Sequence, residues 1–568
     1  MSAKLLAPQP GLRAALLCLV ACSSSRQGAP SDSIPAKPTF TLFALAETRG
    51  QIGPCGCTTD PLGDLSRTAA MVTQARQSGP VLVVDAGGLL YAQTKIGEAF
   101  ATQEELKADL LVATYRDALG VAAIGLGGND LAKGPGRVRP ARQVVNLAPP
   151  TSAGEQIATE PPKVVTLGKT KVGIFGVIAR DSIPEVAITD PAPAGKAAVA
   201  ELRRQGAELV VALIQAPSEA AASQLAGQIG GIDIAVAGLG QAAPEPDRIE
   251  TVADRLPGGG FLVTPGNRGQ VVSRLEVTLR KGPGLADAGG RAAAAVRISQ
   301  IDARIPAVQA EVTRLAADTS ADPAFVAAKK AELAELATER ARLEQTPLQV
   351  PAKGSYFTLE QVRIGKKLAC DLGVQAQTAE YFKASGEANV RFAQSQKPAP
   401  VAAGTPTYVG SDKCVECHDE AVAFWKKTRH AGAWATLEKR GQEFDLECTS
   451  CHVTGWNKPG GATLARTEGL RDVQCEVCHG PASIHVAKEG DEEPKTLVGG
   501  PEPAMCAKQC HTKEHSDTFN YDAYLRDVVG PGHGEDRRKA LGDGPTGREL
   551  RSAGLARAGK ELGAGCTK

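Results

Sequence analysis

The sequence predicts a multidomain chain: an α/β layered domain, a helical hairpin, and a mainly helical or irregular C-terminal domain rich in Cys and His. Three observations carry that prediction. Apolar, β-branched runs alternate with helical patterns from about Thr39 to Leu279. A 3,4,3,4 spacing of Ile, Val and Leu follows over 291–345. All 8 His fall between His418 and His533, and the first 417 residues contain none.

The chain has 568 residues, enough for about three or four domains. Its composition, 42% apolar and 22% charged, suits globular folding. A net charge of +1 argues against nucleic acid or an anionic membrane surface as the main partner. After the N-terminus, no apolar run approaches the roughly 20 residues of a spanning helix.

The N-terminus reads as an address. Lys4 and Arg13 precede a short apolar run from Ala14 to Ala21, flanked as in a signal peptide. The run closes with Leu19-Val20-Ala21-Cys22, followed by Ser23, Ser24 and Ser25. This pattern resembles a bacterial lipobox, which makes Cys22 the lipidated first residue of the mature chain. An ordinary signal peptide is the plainer alternative. Ser23, where Asp would stand for inner-membrane retention, resembles lipoproteins sent to the outer membrane. Residues 1–22 are thus a signal peptide and 23–37 a Ser/Pro/Ala tether. Both readings export the protein to a compartment that permits disulfides.

Residues 38–282 form the α/β domain. Its buried strands are Val81 to Val84, Lys171 to Val177, Leu209 to Ile214 and Ile232 to Ala237. Residues 283–350 form the hairpin, a coiled-coil pair of helices. Ile298, Ile301, Ile305, Val308, Val312 and Leu315 make one stripe; Val326, Leu333, Leu336 and Leu343 make the other. Pro306 is expected to kink the first helix. Residues 351–395 read as a strand and a helix that rejoin the first domain. Residues 396–407 are a Pro/Ala linker, 408–535 the C-terminal domain, and 536–568 a Gly/Arg-rich tail without a legible pattern.

Three Cys-x-x-Cys-His motifs crowd the C-terminal domain: Cys414/Cys417/His418, Cys448/Cys451/His452 and Cys475/Cys478/His479. Paired thiols add across the haem vinyl groups, and the adjacent His ligates iron from one face. A fourth site, Cys506/Cys510/His511, has three intervening residues, a wider loop that still spans both thioethers. A lone Cys-x-x-Cys pair also suits zinc or a redox dithiol. His following the second Cys four times over selects c-type haem, with four haems expected. His430, His485, His515 and His533 remain as candidate distal ligands. Met505 abuts Cys506 and is badly placed to reach across a haem, so bis-His haems of lower potential are expected. About 120 residues cannot build much core around four haems. The porphyrins are expected to be the core, wrapped by Phe424, Trp425, Trp434, Phe444 and Trp456.

Residues 408–535 resemble the tetrahaem cytochrome c-554 family. The carriers are Tyr408 to Ser411, Trp425 with Thr428 to Ala431, Cys478 to His485, and Pro531-Gly532-His533. The resemblance implies closely paired haems that pass electrons in the periplasm, one of which can have an open iron. The widened fourth motif departs from the family.

Residues 39–280 resemble the metallophosphoesterase domain of periplasmic 5′-nucleotidases. The carriers are Leu42 to Gly50, Gly63 to Arg67, Val83 to Gly88, Gly127 to Asp130, and the Ile232 to Gly238 strand. That family implies two metal ions held by Asp, Asn and His. The ligands are missing here. Glu47-Thr48-Arg49 replaces Asp-x-His, Gly88 replaces a strand-end Asp, and Gly128-Asn129-Asp130-Leu131 replaces Gly-Asn-His-Glu. Later His positions fall near Gln215, Leu239 and Gln241. Nucleotidase activity is not expected.

Of the 14 Cys, eight attach haem, Cys18 lies in the signal and Cys22 is lipidated. Cys55, Cys57, Cys370 and Cys566 remain. They form structural disulfides, or else Cys55-Gly56-Cys57 is a strained, redox-active pair or a thiolate metal site. The expected function is electron transfer by a lipid-anchored tetrahaem cytochrome at the outer membrane or in the periplasm. Redox proteins there are its partners. The alternative is an enzyme acting on a small nitrogen or sulfur compound at an open haem or at Cys55/Cys57. A weaker one is a binding protein whose first domain captures a nucleotide-like ligand.

Overall fold

The computed structural model describes residues 37–54, 58–149, 155–317, 323–345, 347–397, 400–489, 496–512 and 515–557. Cys22, Cys55, Cys57 and Cys566, with the signal peptide and nearly all of the tether, lie outside the described residues.

Two six-stranded sheets form the α/β part. In chain order the strands are β1 (Phe40–Leu45), β2 (Val81–Asp85), β3 (Ala123–Ile124), β4 (Arg142–Gln143), β5 (Thr159–Glu160), β6 (Lys163–Leu167) and β7 (Thr170–Ile178). They continue with β8 (Leu209–Gln215), β9 (Ile234–Gly238), β10 (Asp254–Arg255), β11 (Phe261–Val263), β12 (Val271–Thr278), β13 (Leu285–Asp287) and β14 (Ser355–Arg363). One sheet has the order β13-β14-β12-β1-β2-β3, the other β10-β11-β9-β8-β7-β6. β4 and β5 pair separately.

Parallel neighbours need crossovers, and helices supply them. α1 (Leu65–Ser78) joins β1 to β2, and α2 (Ala101–Asp117) joins β2 to β3. α3 (Pro191–Arg204) and α4 (Glu219–Ile229) join β7, β8 and β9. Their starts are written in the sequence. Asp64 accepts from Ser66 N at 2.9 Å and holds Arg67 at 3.2 Å, capping α1. Asp190 and Ser218 cap α3 and α4.

The period-2 alternation of the strands builds the layers. Phe40, Leu42 and Ala44 of β1 meet Leu209, Val211 and Leu213 of β8 in the core between the sheets. Phe43 and Leu45 turn outward, to the side covered by α1 and α2. Val210, Ala212 and Ile214 face α3 and α4. The result is a helix, sheet, sheet, helix stack, the layered class that the buried runs predict.

The hairpin is α5 (Gly290–Ala317) and α6 (Pro323–Gln345). Ile301, Val308 and Val312 pack on Leu336 and Leu343. α5 runs unbroken past Pro306, with seam residues on both sides of it holding the helix to its partner. The segment expected to open the hairpin differs: residues 285–287 are strand β13, paired in parallel with β14. The hairpin thus leaves and re-enters the same sheet. β14 also pairs with β12, and α7 (Leu372–Ser395) packs on α1 and α2.

The C-terminal region is a chain of short helices. They are α8 (Asp419–Trp425), α9 (Ala433–Glu438), α10 (Leu446–Thr449), α11 (Cys475–His479), α12 (Ser483–Ala487), α13 (Pro503–Gln509) and α14 (Tyr521–Val528). Helices this short do not hold themselves. A small protein core does exist, contrary to a core of porphyrin alone: Trp434, Val453, Ala462 and Leu470 cluster, with Tyr408, Phe444 and Trp456 against them. The described residues of the tail form α15 (Glu535–Ala540) and α16 (Gly547–Arg557). Gly547 and Gly554 let α16 approach Tyr524, Thr518 and Thr59 closely. No helix among the described residues is long and apolar enough to cross a membrane.

Candidate functional site

Each Cys-x-x-Cys-His motif lies on or beside a helical turn. Such a turn brings both thiols and the imidazole to one side. Cys475 to His479 are α11 itself. His418 starts α8. Asp445 caps α10, accepting from Glu447 N at 2.9 Å, and so fixes the turn bearing Cys448. The wider fourth motif follows from α13, where His511 N bonds Cys506 O at 2.8 Å. None of the eight motif cysteines is in a disulfide.

Tertiary structure sets the motifs side by side in pairs. The Cys414 thiol lies close enough to that of Cys475 for each to shift the other's ionisation, which sets the first motif beside the third. Cys451 and Cys510 likewise shift each other's ionisation, and the Cys451 thiol donates to Gln509 O at 3.3 Å, which sets the second motif beside the fourth.

Cys417 differs from the other seven motif cysteines in its exposure. Cys414, Cys448, Cys451, Cys475, Cys478, Cys506 and Cys510 are half-buried, whereas Cys417 is exposed. The reason is its place in the chain. Residues 415–420 form a surface turn that leads into α8, and every one of them is exposed. The fold therefore buries Cys414 against Cys475 and leaves Cys417 outside the paired thiols.

Two imidazole pairs form as well. His418 and His485 have ring centroids 6.3 Å apart. His430 and His511 stand 6.2 Å apart. An ion bonded at about 2 Å to a nitrogen of each ring, plus about 1 Å from each nitrogen to its ring centre, requires roughly 6 Å. Burial pulls His430 down to about 4, and His511 adds to that. Its imidazole is therefore neutral, the form that binds metal.

Second partners orient several rings. His452 Nδ1 lies 2.6 Å from Ala433 O, and His479 Nδ1 lies 2.9 Å from Val498 O. A bond from Nδ1–H to a carbonyl leaves Nε2 for a metal. His511 Nδ1 lies 3.1 Å from Ser516 Oγ, and His515 Nδ1 lies 2.7 Å from Thr512 Oγ1. His533 sits in the Pro-Gly-His turn, Nδ1 3.3 Å from Gly530 O; Gly532 of that turn lies against Ala421 of α8. His485 Nδ1 is buried without a hydrogen-bond partner, which is rare for a buried polar atom. Thiols in pairs, adjacent imidazoles and facing second imidazoles fit haem.

The cleft of the α/β part has different chemistry. Glu47 accepts from Gln215 Nε2 and Gly240 N, both at 2.9 Å. Its carboxylate occupies the space that a side chain at Gly88 would need. Asp85 accepts from Gly87 N at 2.7 Å and from the Tyr115 hydroxyl at 2.8 Å. Asp130 gathers the N–H groups of Leu89, Leu90 and Gly127 within 3.0 Å and pairs with Arg142 at 3.1 Å. The Asn129 amide donates to Tyr91 O and Ala92 O, each at 3.0 Å. Burial pushes Glu47 up to about 7 and Asp85 up to about 6, against the hydrogen bonds that pull each down.

Glu47, Asp85, Asn129 and Asp130 are thus each engaged with neighbouring backbone or side-chain groups of the chain. No group of three or more His, Cys, Asp or Glu among the described residues is arranged to hold a metal. These residues do not fit a two-metal centre. Sequence reading identified Asn129 and Asp130 by position but not their structural work. Cys370 is disulfide-bonded.

Comparison with known proteins settles the C-terminal resemblance. Residues 413–480 match the family of cytochrome c554 and c-prime. The chain is also 33% identical over 97 residues to cytochrome c-554 of Nitrosomonas europaea, covering 14% of this chain and 41% of that protein. It spans less than half the length of that relative. The C-terminal region is thus similar to that family, and the similarity implies haem c as a cofactor. Two solved structures are similar over more of the chain. Sulfate thiohydrolase SoxB of Thermus thermophilus is 13% identical with a TM-score of 0.41, covering 62% of each chain. A 5′-nucleotidase precursor of the same organism is 16% identical with a TM-score of 0.39, covering 74% of this chain and 71% of its own.

Proposed function

We propose that this protein is an exported, lipid-anchored tetrahaem c-type cytochrome that transfers electrons between redox proteins in the periplasm or at the outer membrane. The α/β part is a non-catalytic scaffold. The observation that carries the reading is the pair of facing imidazoles, His418/His485 and His430/His511, each beginning from a Cys-x-x-Cys-His type motif.

Cys414/Cys417, Cys448/Cys451, Cys475/Cys478 and Cys506/Cys510 attach the haems. His418, His452, His479 and His511 are the proximal ligands. His485 and His430 are distal to the first and fourth. His515 and His533 are candidates for the others. Bound haem supplies one-electron chemistry at a potential set by its axial ligands and burial. The chain's own work is to ligate, to hold each imidazole tautomer through Nδ1, and to set attachment motifs side by side.

The test uses protein matured in a periplasm. Haemochrome quantitation with intact mass should give four haems per chain; two or fewer would overturn the assignment. A carbon monoxide difference spectrum without response supports the carrier. A response from one haem replaces it with an enzyme that has an open iron. Fatty-acid labelling should mark the wild type and fail on Cys22→Ala.

A further inference from the structure

α2 and α7 belong to the α/β part, yet buried polar groups on both point at the segment carrying the second motif. Gln103 on α2 is fully buried, and its Nε2 donates to Asp445 Oδ1 at 2.8 Å. Its Oε1 accepts from Leu446 N at 3.1 Å and from Asn389 Nδ2 at 2.6 Å. Asn389, on α7, also donates to Phe444 O at 3.0 Å. One turn further along α2, Lys107 is 2% exposed. Its Nζ lies 2.6 Å from Glu104 and 2.9 Å from Glu447. Glu447 directly precedes Cys448.

These contacts converge on α10, which has four residues and cannot keep its shape alone. Asp445 is its fixed point. Its carbonyl accepts from Cys448 N at 3.0 Å and Thr449 N at 2.9 Å. Thr449 O in turn accepts from His452 N at 2.9 Å. Gln103 therefore holds the residue that holds both the attachment cysteine and its ligand. A buried amide that both donates and accepts allows one placement of its partner, whereas apolar packing tolerates sliding.

We propose that Gln103, Asn389 and Lys107 are positioning residues for the second haem. The α/β part serves as one wall of the Cys448/Cys451/His452 site. This rests on the haem reading of that motif. The α/β part, which has lost its own metal ligands, thereby fixes the orientation, and so the potential, of one haem among four.

The experiment uses the full chain, matured with its haems. A Cys448→Ala/Cys451→Ala variant first identifies the electron paramagnetic resonance signal and the midpoint potential of the second haem by their loss. Gln103→Leu and Lys107→Met should then shift that signal and that potential, or halve that haem's occupancy, and leave the others unchanged. Lys107→Arg should restore the wild-type signal. If Gln103→Leu yields no protein, Glu447→Gln, at a half-exposed position, should produce the same shift. Folded variants with an unchanged second signal overturn the proposal, and so does equal loss of all haems. A wild-type chain without c-type bands overturns the haem reading itself, and this inference with it.

Discussion

His418 and His485 face each other with ring centroids 6.3 Å apart and planes inclined by 31°. One ring starts α8, directly after the first pair of thiols; the other lies in α12, beyond the third motif. Neither helix exceeds seven residues, so the pairing is a property of the tertiary fold.

Removing one ring should expose one iron. His485→Ala is expected to convert a single haem from low to high spin and make it bind carbon monoxide. His430→Ala should do the same to another. Absorbance and electron paramagnetic resonance read both. An unchanged spectrum removes that residue from the ligand set.

Glu47 makes stability depend on pH. Its ionisation rises from 4.5 to about 7 in the folded chain. The folded state therefore holds a proton that the unfolded state releases earlier. Stability is full below about pH 4.5 and falls as pH rises to about 7, by about 3 kcal/mol in all. Glu47→Gln carries no charge and should flatten this part of the profile. Thermal unfolding from pH 5 to 8 checks it; a variant as pH-dependent as the wild type refutes it.

Asp130 should be among the least replaceable residues of the α/β part. It is fully buried with Arg142 and collects backbone N–H groups from the 88–90 loop and Gly127. Asp130→Ala strands the Arg142 charge, and a cost of about 3 to 5 kcal/mol is expected. Denaturant unfolding measures it. A loss below about 1 kcal/mol would mean that water replaces the carboxylate.

Phosphatase activity should stay at background with manganese, cobalt or zinc added. Asn129 serves Tyr91 O and Ala92 O, so Asn129→Ala should change the melting temperature and no hydrolytic rate. Hydrolysis of a nucleoside monophosphate that needs metal and disappears in Asn129→Ala would restore a catalytic reading.

The Cys/Cys/His motifs were legible because their spacing is local: two thiols and an imidazole within five or six residues. The exposure of Cys417 was not, because the motif is the same whether its turn lies inside or at the surface. The buried runs at 81–84 and 209–214 were legible because parallel strands covered on both faces are apolar throughout. The seam of α5 and α6 was legible from its period. The tail was not, because α16 is held by close approach of Gly547 and Gly554 to distant side chains, a relation that leaves no periodic trace. Strand β13 was missed because three residues are too few to show alternation.

The sequence by itself determined where four Cys/Cys/His motifs stand and that the first 417 residues contain no His. Tertiary structure alone decided which imidazole faces which, that the first motif lies beside the third and the second beside the fourth, and that Gln103 and Lys107 reach across to Asp445 and Glu447. The physical reason is range. Covalent attachment and strand burial depend on neighbours in the chain. Ligand pairing and buried polar contacts join groups tens or hundreds of residues apart, and only packing brings those together.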